Sequence, residues 1–328
     1  LNENIQLRCG ESLGRDFTVD SLLKDGYRAV FIATGSHASK KLEVPGEDVE
    51  GVMPGIRFLK AHNLENQPLA KGRIGVVGGG NSALDAARVA IRQPGVESVT
   101  IFYRRTQDSM PAYKEEIEAG LEEGVVIQEL VAPVAVHSEN GRLTGIRLIR
   151  NTLGTPDASG RRRPVAVKGS EYDVPLDTLI VAISEEPENV GTDGIGRASW
   201  GGITVNPESF LTSREGVFAG GDVVTGPNTV IESIAAGKKA AVMIDHYVTG
   251  KVMKLLSKVK LPSVYVEPVA GAEEESGETI RIEAPLLPVA QRKACFKEVE
   301  LCPTEQQVLT EARRCARCDL DFTQPQSR

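Results

Sequence analysis

The chain has 328 residues, 41% hydrophobic and 25% charged, with a formal net charge of -7 and five cysteines. That length suits two sizeable cores, and the acidic balance excludes a general nucleic-acid surface. Five cysteines are too sparse for a disulfide framework, no apolar run approaches the ~20 residues that span a bilayer, and the expected compartment is the cytoplasm.

In chain order, Tyr27–Ala33 (YRAVFIA) is an apolar run that ends at Thr34-Gly35, the pattern of a buried strand stopping at a turn near which something binds. From Lys40 to Gly55 the composition shifts to Pro, Gly and acidic residues, which predicts a connecting segment at a domain boundary. A strand–turn–helix–strand pattern follows: Arg73–Val77, Gly78-Gly79-Gly80, a small-residue helix over Ser82–Ile91, then Ser98–Tyr103. Further strands are expected at Val125–Glu129, Thr144–Arg150 and Thr178–Ile183. The last two are separated by a polar excursion of hairpin type, in which Arg161-Arg162-Arg163 reads as a solvated loop. Gly216–Asp222 and Val230–Val248 form a second strand, turn and helix. A tail begins near Gly250, with residues 262–290 expected to be extended or partly disordered and an amphipathic helix over Thr304–Ala316, capped by Thr304.

The segment Gly78-Gly79-Gly80-Asn81-Ser82-Ala83 fits G-x-G-x-x-A in the one context that gives the motif meaning, after a strand and opening a helix. Gly78 serves the tight turn, Gly80 the approach of backbone to a pyrophosphate, and Ala83 close helix–strand packing. The N–H groups and dipole of the helix that follows, next to Asn81 and Ser82, then hold the anion without a lysine. Where an NAD site places a carboxylate at the end of the second strand, this chain has Tyr103-Arg104-Arg105. Two guanidiniums suit a 2′-phosphate, so NADP(H) is the expected nucleotide, with Tyr103 placed to stack near adenine.

Gly220-Gly221-Asp222 followed by Gly226-Pro227-Asn228-Thr229-Val230, taken with Ala33-Thr34-Gly35, Pro45-Gly46-Glu47-Asp48, Gly78–Arg88 and Met110-Pro111-Ala112, resembles the glutamate synthase small-subunit family of NADPH-dependent FAD and iron–sulfur oxidoreductases. The resemblance implies that Asp222 binds the ribityl chain of FAD, with Thr34, Gly35 and Gly221 beside it and Asn228, Thr229 and Val230 meeting the flavin ring at a helix N-terminus. No side chain is expected to act as a catalytic acid or base, because alignment of two rings is what hydride transfer from nicotinamide to flavin requires. His37, His62, His137 and His246 are scattered without ligand spacing.

The resemblance also implies an α/β fold of two Rossmann-like domains. Residues 1–55 are the first part of a split FAD-binding domain with its linker, 56–183 the NADP(H)-binding domain, 184–250 the second FAD part, and 251–328 the tail. The strand, G-x-G-x-x-G turn and helix that open such a FAD domain have no counterpart before Ala33, so the FAD-binding domain is expected to be incomplete here. A missing N-terminal half or a partner redox subunit would complete it. Ser184 stands where relatives usually have glycine. Cys315 and Cys318 resemble the start of the family's iron–sulfur segment, as half of the ligand set that a cluster needs. The expected activity is hydride transfer from NADPH to FAD and electron transfer onward to iron–sulfur centres or a partner. The alternatives are a subunit of an electron-bifurcating or ferredoxin-linked complex and a non-catalytic nucleotide-binding fragment.

Overall fold

Short runs of aliphatic and β-branched residues between glycine turns form the strands of the protein, whose computed structural model describes residues 5–156, 160–188, 190–254 and 281–313. The chain divides into two compact units, residues 1–255 and 256–328. In the first, helix α1 (Val19–Lys24) leads to β1 (Val30–Ile32), β2 (Ala38–Ser39), β3 (Val52–Pro54), α2 (Gly55–Glu65), β4 (Gly72–Val77), α3 (Asn81–Ala90), β5 (Val96–Phe102), α4 (Lys114–Glu122) and β6 (Val126–Gln128). Four antiparallel strands follow, β7 (Val131–Glu139), β8 (Arg142–Pro156), β9 (Arg162–Ala166) and β10 (Tyr172–Pro175). The chain then returns through β11 (Thr178–Val181) and β12 (Glu185–Glu186) to β13 (Val217–Ala219), α5 (Asp222–Thr225) and α6 (Val230–Thr249).

Five strands make one parallel sheet in the order β3-β11-β4-β5-β6. All four residues of β11 and the last four of β4 are buried, as strands covered on both faces must be. On one face α3 brings Ala83, Ala86, Ala87 and Ala90, each fully buried, against Val76 and Ile101. Alanine at these positions lets the helix axis approach the sheet closely. On the other face the antiparallel strands pack Val131, Ile146 and Leu148 against Phe102 and Leu179. β1 and β13 pair in parallel and share a separate core of Val19, Ile32, Val217, Ala219 and Val223.

The expected helix after the glycine turn, the strands on either side of it and the hairpin excursion are all present. Two expectations change. Val52–Pro54, inside the segment read as a connector, is an edge strand paired with β11, and of Arg161-Arg162-Arg163, read as a solvated loop, the last two open the strand Arg162–Ala166 paired with β8. In the second unit, Leu286 and Glu300 form an antiparallel bridge. The helix Glu305–Arg313 begins after Thr304, whose hydroxyl accepts from the Gln307 N–H at 3.3 Å while the Gln307 side chain accepts from the Thr304 N–H at 2.8 Å. Among the described residues no helix is long and apolar enough to cross a membrane.

Candidate functional site

Three glycines follow β4 for three different reasons. At Gly78, with φ 151°, a β-carbon would collide with the carbonyl oxygen of Ala182, just past β11. At Gly79 it would enter the ring of Tyr103. At Gly80 it would meet nothing within 4 Å, so this backbone faces open space. Gly80 is also the N-cap of α3 and supplies no side-chain cap, which leaves the first N–H groups of the helix, at Asn81 and Ser82, directed toward that space. Backbone donors, a positive dipole end and no intruding side chain are what a dinucleotide pyrophosphate needs, and the turn fits one.

The turn is held from outside. The Ala112 N–H donates to the Gly79 carbonyl at 3.2 Å, the Tyr113 N–H to Asn81 Oδ1 at 2.9 Å, and the Tyr103 hydroxyl to the Ser109 carbonyl at 2.9 Å. Tyr103, expected to stack near adenine, is only 6% exposed and lies under Gly79. Its ring supports the turn instead, because β5 runs directly beside β4 and the residue that follows β5 comes to lie beneath the loop. The basic pair is also divided. Arg104 is exposed, whereas Arg105 is 7% exposed and its Nε donates to the Arg162 carbonyl at 2.8 Å. The chain bends at these two residues, past the end of β5, and Arg104 alone of the two is exposed.

The second turn brings Thr34 and Gly35 to Gly221 and Asp222. The Gly220 N–H donates to the Ile32 carbonyl at 3.1 Å, and the buried Ser36 hydroxyl donates to the Asp222 carbonyl at 3.0 Å. Gly221, at φ 74° and ψ -156°, takes a conformation that suits glycine alone. The Asp222 carboxylate accepts from the Ser233 hydroxyl at 3.5 Å, which ties the turn to α6. At the start of α6 the Thr229 N–H donates to Asn228 Oδ1 at 2.8 Å, and Thr229 forms a reciprocal capping box with Glu232. The backbone at Val230 and Ile231, side chains 75% and 78% exposed, lies outside that box and leaves helix N–H groups for a ligand. Glycine turn, carboxylate and helix N-terminus suit the polyol and ring portions of a flavin nucleotide.

One crossover joins the two turns. From Ala182, which abuts Gly78, the chain runs through Ser184 to Glu185 and Glu186, paired antiparallel with Ala38 and Ser39, the strand that follows the Gly35 turn. The Lys40 N–H donates to the Ser184 carbonyl at 3.1 Å, and Lys40 reaches Glu186 at 3.5 Å. Ser184 is not among the residues with positive φ, so serine stands here without backbone strain. Burial pushes the Glu185 carboxyl above the usual carboxylate range.

Ser36 escaped the sequence reading, although its place directly after Thr34-Gly35 marks it as part of that turn. Cys315 and Cys318 lie outside the described residues, and among the described residues no group of three or more His, Cys, Asp or Glu side chains is arranged to hold a metal ion.

Residues 8–237 match the family model described as pyridine nucleotide-disulphide oxidoreductase. The chain is 40% identical over 323 residues to the NADP(+)-dependent formate dehydrogenase subunit beta of Moorella thermoacetica, covering 96% of this chain and 45% of that protein. It is 36% identical over 256 residues to the glutamate synthase [NADPH] small chain of Escherichia coli, covering 72% of this chain and 54% of that one. The chain thus spans about half the length of these relatives. Its fold is similar to that of FprA from Mycobacterium tuberculosis, here a His57Gln mutant, at a TM-score of 0.60 and 20% identity, over 73% of this chain and 67% of FprA. Two dinucleotide-type turns at the ends of parallel strands, joined by one crossover, agree with these matches: the chain belongs to the pyridine nucleotide-disulphide oxidoreductase family.

Proposed function

We propose that this chain is an NADPH-dependent flavoprotein oxidoreductase module of the glutamate synthase small-subunit type. NADP(H) binds at Gly78–Ser82 with Arg104 on its 2′-phosphate, and FAD binds at Thr34, Gly35, Gly221, Asp222 and the N-terminus of α6. The observation that carries this reading is the crossover itself: the residue that abuts the first turn, Ala182, lies three positions before the strand pair that leads to the second. The bound flavin supplies hydride acceptance. The protein's own residues orient and bind. Gly80 and the first turn of α3 take the pyrophosphate, Tyr103 and Ala112 hold that turn in place, and Ser36 fixes the Asp222 backbone.

Among the described residues the parallel pair β1–β13 is two strands wide, which is narrow for a dinucleotide domain. This supports a flavin site completed by an N-terminal half of a longer polypeptide or by a partner redox subunit. In the intact assembly Cys315 and Cys318 would contribute ligands to an iron–sulfur centre, which would supply one-electron transfer onward to that partner. The test is the complete polypeptide, purified from its natural gene. Flavin absorbance near 450 nm and NADPH-dependent reduction of an artificial acceptor are expected; absence of both rejects the reading.

A further inference from the structure

The proposed flavin site has two parts, the Asp222 carboxylate and the N-terminus of α6, and the chain between them is short: α5, then Gly226 to Thr229. Glycine flanks α5 on both sides with positive φ, Gly221 at 74° and Gly226 at 78°. Bends made by glycine carry no side chain to stiffen them, so the spacing of the two parts depends on what packs against this segment. At its start the Ser36 hydroxyl holds the Asp222 carbonyl. The bend at Gly226 meets a different residue.

Trp200, the single tryptophan of the chain, sits in a turn that is bonded to α5: the Ile203 N–H donates to the Val223 carbonyl at 2.8 Å. The turn is closed by the Ala198 N–H, which donates to the Gly202 carbonyl at 2.8 Å, and by the Gly201 N–H, which donates to the Ala198 carbonyl at 3.0 Å. Arg197 Nη1 adds a bond to the Gly201 carbonyl at 2.9 Å. A β-carbon at Gly202 would enter the indole, so the ring lies directly against that backbone and is held by it. From there the ring reaches the bend, where Cη2 and Cζ3 would each lie 3.9 Å from a β-carbon placed on Gly226. The indole is 38% exposed and belongs to none of the three cores, so core packing does not account for its position.

We propose that Trp200 is a positioning residue of the flavin site: its indole braces the bend at Gly226 and so sets where the N-terminus of α6 stands relative to Asp222. This assignment rests on the reading of the second turn as the FAD site. Trp200 acts through the backbone at Gly226. The N–H groups and dipole at the start of α6 favour negative charge on a flavin ring, so a shift of that helix end changes both how firmly the flavin is held and the surroundings its ring senses.

The test uses the complete polypeptide and compares Trp200→Phe and Trp200→Ala with wild type in flavin release rate, visible circular dichroism of the bound flavin, urea midpoint and calorimetric titration with adenosine 2′,5′-bisphosphate. Phenylalanine keeps a ring on Gly202 but lacks the outer edge of the indole that reaches Gly226. Trp200→Phe is therefore expected to keep the urea midpoint, to speed flavin release about three- to tenfold and to alter the circular dichroism. Trp200→Ala is expected to speed release at least as much and to lower the midpoint as well, and both variants are expected to bind the bisphosphate at the Gly78 turn as wild type does. If wild type holds flavin and Trp200→Phe matches it in release rate and circular dichroism, the brace is wrong while the FAD reading stands. If Trp200→Phe weakens the bisphosphate as much as the flavin, the change is general fold damage and the brace is likewise overturned. If wild type holds no flavin, the FAD reading fails and the brace with it.

Discussion

The Ser36 hydroxyl donates to the Asp222 carbonyl at 3.0 Å, bridging the turn after β1 and the turn after β13 across 186 positions of sequence. Ser36→Ala removes that bond from a buried position, and a net loss of about 1 kcal/mol in unfolding free energy is expected. In the complete flavoprotein the same change is expected to speed flavin release. A urea midpoint and a flavin off-rate equal to wild type would show that the bond does not fix the turn.

Gly78 and Gly80 are expected to separate fold from binding. A β-carbon at Gly78 strikes the Ala182 carbonyl, so Gly78→Ala is expected to destabilise by about 1–3 kcal/mol, as overpacking does. Gly80 has an ordinary φ of -90° and open space around it, so Gly80→Ala is expected to leave the urea midpoint unchanged and to weaken nucleotide binding. Equal midpoints for the two variants would contradict the geometry.

Glu123 is fully buried and receives Arg88 at 2.8 and 3.0 Å and Arg92 at 2.8 Å, joining α3 to the end of α4. Burial acts to raise its pKa, but the hydrogen bonds and charges of Arg88 and Arg92 outweigh it, and the carboxyl is held below the usual range. Glu123→Ala removes one partner of a buried pair, with an expected cost of roughly 3–5 kcal/mol by chemical denaturation. The folded pKa lies below the unfolded one, so the contribution is complete above the usual carboxylate range and fades as pH falls through the lowered value. The gap between wild type and Glu123→Gln should therefore narrow in acid.

Glu185 has the opposite sign. Burial raises its folded pKa above the unfolded value, so its contribution to stability is complete below the usual carboxylate range and is lost as pH rises through the raised value. Glu185→Gln, which stays neutral, is expected to raise the urea midpoint at pH 7 and to match wild type in acid. A midpoint shift independent of pH would refute the assignment.

Much of the site could be read from the chain because its requirements are local. Gly78 and Gly221 occupy turns where backbone conformation, or the approach of a neighbouring backbone, admits few residue types, and those residues announce themselves in sequence. Thr229 and Thr304 mark helix starts for a similar reason, since a cap bonds within three residues of itself. The edge strand Val52–Pro54 was hidden because a three-residue run that ends in proline has no period to detect, and only its pairing with β11 makes it a strand.

By itself, the sequence determined the two glycine turns, the helices that follow them and the presence of arginines where a carboxylate would mark NAD. Only the tertiary structure decided which arginines those are. Arg104 and Arg105 are adjacent and chemically identical, but β9 lies against one side of the strand end, so one is buried against a carbonyl and the other left in solvent. Tyr103 was likewise assigned by what lies above it: its ring is a support because Gly79 occupies the space over it. Local backbone demands are written in residue type, whereas the partner a side chain meets is set by packing between segments far apart in the chain.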